Sequence, residues 1–249
     1  MSCAAGVRDA EAWQPEGGAG NAAKLARMYR RLALFALTAA LWTPAPSFAQ
    51  SAAPTPPALT ATEKTFVRAI QTILTKRYPT PAAARKAGYV RFTNEDDTGA
   101  ISYADKQWNS TSEARPSQLW YDVNGRLLGA DYSLLADGRA SPPSLFGIDP
   151  SRFSEIGAHI HFVVRNPDGS LTYSREVGIK KYAAAGLNPA HPTAAGLVKA
   201  GAVDSPDRVA TVFLFPHIWD ATVWVLPNPN GAFADKNPNV KPSHTPARS

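Results

Sequence analysis

Downstream of residue 60 the apolar positions first recur at helical spacing. Phe66, Ile70, Ile73 and Leu74 fall on one face of a 3.6-residue period, and Thr60 and Glu63 stand in the T-x-x-E relation of a capping box. The spacing therefore predicts an amphipathic helix over 61–77. Thr80 as N-cap, Pro81 at the first helical position and Gly88 as the stop predict a second, short helix. The pattern then changes to short aromatic or β-branched runs between turn formers: GYVRFT (88–93), ISY (101–103), SQLWYDV (117–123) and RLLGADYSL (126–134). Between the last two, Asn124-Gly125 predicts a two-residue hairpin loop.

After the loop ADGRASPPSLFGIDPSRF, the runs AHIHFVVRN (158–166) and LTYSREV (171–177) flank the turn Pro167-Asp168-Gly169 and form a second hairpin. IKKYAAAG and HPTAAGLVKAG are short helical pieces, VATVFLF (209–215) and ATVWVL (221–226) read as buried strands, and NPNGAFADKNPNV is turn-rich coil. The fold class expected from this order is α+β, with N-terminal helices followed by a mainly antiparallel β-sheet.

The first fifty residues follow a different pattern. From Met28 the chain reads MYRRLALFALTAALWTPAPSFAQ, with Arg30 and Arg31 ahead of the apolar run Leu32–Leu41 and the small-x-small site Ser47-Phe48-Ala49. The apolar run is about half of the ~20 residues that cross a bilayer, so a cleaved leader is expected and a stable membrane anchor is not. Met1 and Met28 are the only methionines, and the better-formed leader begins at the second, which points to Met28 as the start of translation; an unusually long n-region is the alternative. The organisation expected is an N-terminal extension and cleaved signal peptide over 1–49, a Pro/Ala-rich linker over 50–59, one α+β domain over 60–241 and a flexible tail over 242–249. The destination is the periplasm or the exterior of the cell.

Cys3, the single cysteine, lies in the leader, which excludes disulfides, thiolate ligands, a cysteine nucleophile and a lipobox anchor from the mature chain. The formal net charge of +6 falls when the leader takes away five basic and three acidic residues, and such a mild surplus gives no reason to expect a nucleic-acid partner.

The chemistry then rests on histidine. His159 and His161 are separated by one residue in a strand, so both project from one face with Val163, while Ile160, Phe162 and Val164 form the core face. Two imidazoles so placed can converge on one ion at about 2.0 to 2.1 Å, and a zinc-type centre needs a third protein ligand. His217, in FLFPHIWD, is the best third candidate, with Asp220 or Glu155 as a carboxylate; His191 lies in a loop and His244 in the tail. The competing reading has both strand histidines bonded to neighbours on a half-wet sheet face. A cupin-type site would carry a glutamate shortly after the pair, where this chain has Phe162, Val163, Val164 and Arg165. Trp108, Trp120, Trp219 and Trp224 are candidates for an aromatic groove or for core. The run Asn94-Glu95-Asp96-Asp97 has oxygen ligands for calcium without a calcium-loop spacing, and reads as a solvated turn.

The stretches LWYDVNGRLLGADYSL, PPSLFG, AHIHFVVRNPDG and FPHIWDATVWVLPNPNGAFADKNPNV resemble an uncharacterised family of exported bacterial proteins over residues 60–241. The most recognisable part pairs Val223-Trp224 with Asn228, Pro229, Gly231, Phe233, Ala234, Asn237, Pro238 and Val240. Members of the family often place a histidine directly before Val-Trp, where this chain has Ala221 and Thr222, so His217 would have to replace that ring. The resemblance implies export and a compact domain and assigns no reaction.

The expectation is thus a soluble exported protein in which His159, His161 and His217 hold a divalent metal ion such as zinc, or a small-molecule ligand. If such a centre were catalytic, a metal-acidified water with Glu155 as proton acceptor would give hydrolytic or lyase chemistry. The alternatives are a non-enzymatic envelope binding module and a purely structural domain.

Overall fold

The computed structural model describes residues 57–142 and 144–243. The leader, most of the linker and His244 lie outside the described residues.

Helix α1 (Ala61–Arg77) begins at the capping box: Thr60 Oγ1 accepts the Glu63 N–H at 3.1 Å and Glu63 Oε2 accepts the Thr60 N–H at 2.9 Å. Its buried stripe is Phe66, Val67, Ile70 and Leu74, with Ile73 only half-buried. The short α2 (Pro81–Lys86) follows its Thr80 cap and stops before Gly88, whose φ of +97° a β-carbon would disfavour. The strands are β1 (Val90–Arg91), β2 (Ile101–Ala104), β3 (Gln118–Tyr121), β4 (Leu127–Leu135), β5 (Ser154–Ile156), β6 (His159–Arg165), β7 (Leu171–Gly178), β8 (Val209–Phe215) and β9 (Ile218–Trp224). Helices α3 (Ile179–Ala184) and α4 (Ala194–Lys199) lie between β7 and β8.

The mixture of helices with antiparallel strands is the expected class, but the strands divide into two sheets. One runs β1-β2-β3-β4-β9-β5 and the other β7-β6-β8, with every pairing antiparallel. The large sheet packs one face on α1, burying Leu119, Tyr121, Ala130, Tyr132, Ala221 and Val223 against the helix stripe. The small sheet packs Ile160, Phe162, Val164 and Val177 against Tyr182 and Leu197 of α3 and α4, as the alternation along β6 requires. Among the described residues no helix is long and apolar enough to cross a membrane.

Three local readings need correction. At Asn124-Gly125 only Gly125 has a positive φ, and the Gly125 N–H bonds to Asp122 O while the Asp122 N–H bonds to Arg126 O. The hairpin is therefore closed by a longer loop with one left-handed glycine, not by a two-residue turn that needs two. Strand β9 starts at Ile218, three residues before the predicted run, because Ile218, Trp219 and Asp220 are held by both β4 and β5. Strand β8 lies at a sheet edge with Ala210 and Thr211 exposed, so only its C-terminal end is buried as expected.

Gly129 marks where β4 meets its neighbours most closely. A Cβ there would sit 2.7 Å from Trp120 Cε3 and 2.7 Å from the Val223 carbonyl oxygen. Gly129→Ala is expected to destabilise the protein by about 1–3 kcal/mol through overpacking, read as a lower urea midpoint with an unchanged denaturant slope.

Candidate functional site

The pleat of β6 puts His159 and His161 on one face, as the sequence requires. Only the His159 end of that face is half-buried; His161 and Val163 are buried. The face turns toward the large sheet, where Phe92 and Trp108, each just beyond a strand of that sheet, meet Phe213 and Phe215 of β8. His161 is only 3% exposed, stacked on Phe92 with ring centroids 4.3 Å apart and flanked by Phe213 at 5.2 Å. His159 stacks on Phe215 at 4.5 Å.

These stacks set the surroundings of each candidate ligand. The rings of His159 and His161 are 6.2 Å apart, but the nitrogens of His159 go to Gly157 O (3.0 Å) and Glu176 Oε2 (3.5 Å). His217, in the link between β8 and β9, is paired through Nε2 with Glu155 Oε1 at 2.6 Å. Each histidine thus has its own surroundings, and among the described residues no group of three or more His, Cys, Asp or Glu side chains is arranged to hold a metal ion. The structure does not bring His159, His161 and His217 into one cluster: alternation set the first two rings on one face, aromatic packing fixed their planes, and His217 pairs with Glu155.

The acidic run is likewise engaged by the protein itself. Asp96 accepts from the Thr98 hydroxyl at 2.6 Å and from the Ala100 N–H at 3.1 Å, and Asp97 pairs with Lys236 at 2.8 Å.

Beside His161 the two sheets leave a cleft of about 780 Å³, within the usual range for a ligand pocket. Its lining is mostly apolar and includes Phe92, Trp108, Val163, Tyr173 and Phe213. Two features of it are costly. His161 Nε2 is buried without a hydrogen-bond partner, a condition worth about 1–3 kcal/mol against folding. Trp108 holds a φ of +52°, a left-handed conformation that bulky residues avoid. The turn that imposes it is fixed by Asp105, which accepts the Gln107 N–H at 3.1 Å through its side chain and the Trp108 N–H at 3.1 Å through its carbonyl, and pairs with Arg115 at 2.6 Å.

Burial, with a smaller push from His159, lowers the His161 pKa to about 4, against the opposing effect of a hydrogen bond to the Phe92 backbone. The ring is therefore neutral at neutral pH. Of the four candidate tryptophans only Trp108 lines the cleft; Trp219 belongs to the main core, and Trp120 and Trp224 meet edge to face at 5.5 Å elsewhere on the large sheet.

Sequence reasoning missed a second polar constellation. Asp131 of β4 and Asp220 of β9 lie buried on the sheet face opposite α1. Trp120 Nε1 and Thr222 Oγ1 donate to Asp131 at 2.8 and 3.2 Å, and the Ser133 hydroxyl donates to Asp220. Burial and the neighbouring Asp220 charge push Asp131 well above the ordinary aspartate range, and burial raises Asp220 to about 6 against bonds from Ser133 and Asp131. An aspartate in the middle of each apolar strand, in GADYS and IWDAT, was the available signal, since strands are depleted in Asp.

Comparison with known proteins gives no match: no family model fits the chain, and no curated protein or solved structure is significantly similar to it. The site has to be read from its own chemistry.

Proposed function

We propose that this protein is a binding module that takes a small, mostly apolar ligand in the cleft between its two sheets. The observation that carries this reading is the buried, unpartnered Nε2 of His161 beside an aromatic-walled cavity. Unsatisfied buried polar groups are rare because they oppose folding, and the strained Trp108 next to it adds a second cost at the same place. Costs of this kind gather where a protein holds surface ready for a partner. Joined to the leader read over residues 28–49, the cleft makes the chain an exported binder of small molecules, acting outside the cytoplasmic membrane.

A naphthalene-based fluorophore that brightens in apolar surroundings provides the test. Saturable enhancement at one dye per chain is expected. Thr211→Trp, which fills the cleft from an exposed position, should weaken binding at least tenfold, about 1.4 kcal/mol. Equal binding by the variant, or no saturable signal from the parent, would remove the proposal.

A further inference from the structure

The two sheets have four edges, and three of them are blunted against strand pairing. Strand β1 has two residues, and β5 has three and carries Glu155. Strand β7 carries Arg175 and Glu176 and is bent at Ser174, which has a φ of +57° beside a register shift against β6. Short length, charge and bulges are the devices by which edges avoid unwanted partners.

Strand β8 has only a bulge at its start. Its sequence VATVFLF holds no charge and no proline. Its one register shift lies at Ala210, so Thr211–Phe215 pairs regularly with β6 on one side, and no strand pairs with the other side. The cleft runs along this open side: the consecutive residues 210–214 all line it. A cavity that touches only side chains of a strand contacts alternate residues, whereas one that touches every residue in turn lies against the strand's edge.

The charges around the cleft narrow the occupant further. Arg91 and Lys106 line it and, among the described residues, no aspartate or glutamate does. Among the described residues Lys106 is in no ion pair, and Arg91 is turned over the Tyr173 ring at 4.7 Å. A second copy of the chain pairing β8 with β8 would bring an uncharged strand to these cations and place like charges near one another. A short peptide with a carboxylate satisfies both the edge and the cations.

We propose that the cleft ligand is a short, extended, apolar peptide with a free carboxylate, which adds to β8 as a fourth strand and places its carboxylate by Arg91 and Lys106. This rests on the reading of the cleft as a binding site and names the ligand class. The peptide N–H and C=O groups pair with the open side of Thr211–Phe215, and alternate side chains enter the space beside Trp108 and His161, as in other strand-addition complexes.

The test uses the full chain and a labelled alternating valine–threonine pentapeptide with a free C-terminal carboxylate, followed by fluorescence anisotropy. Saturable binding is expected. A fully N-methylated analogue keeps the side chains and the carboxylate but offers no N–H, and should bind at least tenfold more weakly. The C-terminal amide should bind several-fold more weakly, and Arg91→Glu with Lys106→Glu should weaken the acid but not the amide. Equal affinity for the N-methylated peptide would overturn strand addition. Failure of every peptide while the fluorophore still binds would overturn the ligand class and leave the cleft reading intact; failure of both removes the two together. Dimerisation in sedimentation that Thr211→Trp abolishes would assign the edge to a second copy instead.

Discussion

Arg152→Ala is expected to destabilise the protein by about 3–5 kcal/mol, the usual cost of removing one partner from a buried ion pair. Glu63 is fully buried at the start of α1, and the Arg152 Nε and a terminal nitrogen reach its two carboxylate oxygens at 3.0 and 3.3 Å. The same guanidinium bonds the carbonyls of Pro57 and Ala58, so its loss also frees the chain entering the helix. Burial alone would raise the Glu63 pKa, but Arg152 and the N–H groups of Thr60 and Asp149 outweigh it and hold the carboxyl below its ordinary value. A carboxyl lowered in the folded state contributes stability above its unfolded pKa and loses it as the pH falls through the folded one. Urea unfolding should therefore show the gap between parent and Arg152→Ala narrowing from pH 7 toward pH 3. Glu63→Gln added to Arg152→Ala should recover part of the loss at pH 7, because no buried charge then remains. A loss below about 1 kcal/mol, the range of exposed pairs, would show that water reaches this site.

Asp131→Ala should cost about 2–5 kcal/mol, since it leaves the buried Trp120 N–H and the Thr222 hydroxyl without their acceptor and opens a cavity beside Asp220. Asp131→Asn is the informative contrast. It keeps a donor toward Asp220 and removes the second carboxyl. Both aspartates have raised pKa values in the folded protein, so their contribution is fully present below the unfolded value, near pH 4; that of Asp220 is lost as the pH rises through about 6, and that of Asp131 as it rises through its own raised value. His161 acts in the opposite sense: its lowered pKa contributes stability above about 6.5 and loses it as the pH falls toward 4. Differences between variants isolate the aspartates from this background. The parent should lose stability relative to Asp131→Asn as the pH rises from 4.5 to 8, and a constant difference over that range would mean that the pair shares no proton.

The readings that held are those whose causes lie within a few residues. The bounds of α1 follow from Thr60, Glu63 and a stripe with helical spacing, and the core side of β6 follows from the alternation of Ile160, Phe162 and Val164. The readings that failed depend on distant partners. Whether His161 faces an ion, water or a ring is decided by Phe92 and Phe213, tens of residues away in either direction, and β6 itself contains no sign of them. Strand β5 exists because Ser154, Glu155 and Ile156 meet β9, which lies more than sixty residues further on. The division into two sheets was equally out of reach, because the consecutive strands β8 and β9 read as a continuation but part company at Pro216-His217.

The pairing of β4 with β9 joins residues some ninety positions apart at the middle of the large sheet. Until that last strand arrives, the sheet is cut in two, and Asp131 and Ser133 sit on a bare rim without Thr222 and Asp220. Long loops closed before any reward make such topologies slow to fold. The large sheet therefore cannot close around Asp131 until the distant segment carrying β9 is at hand, whatever the earlier strands have already formed.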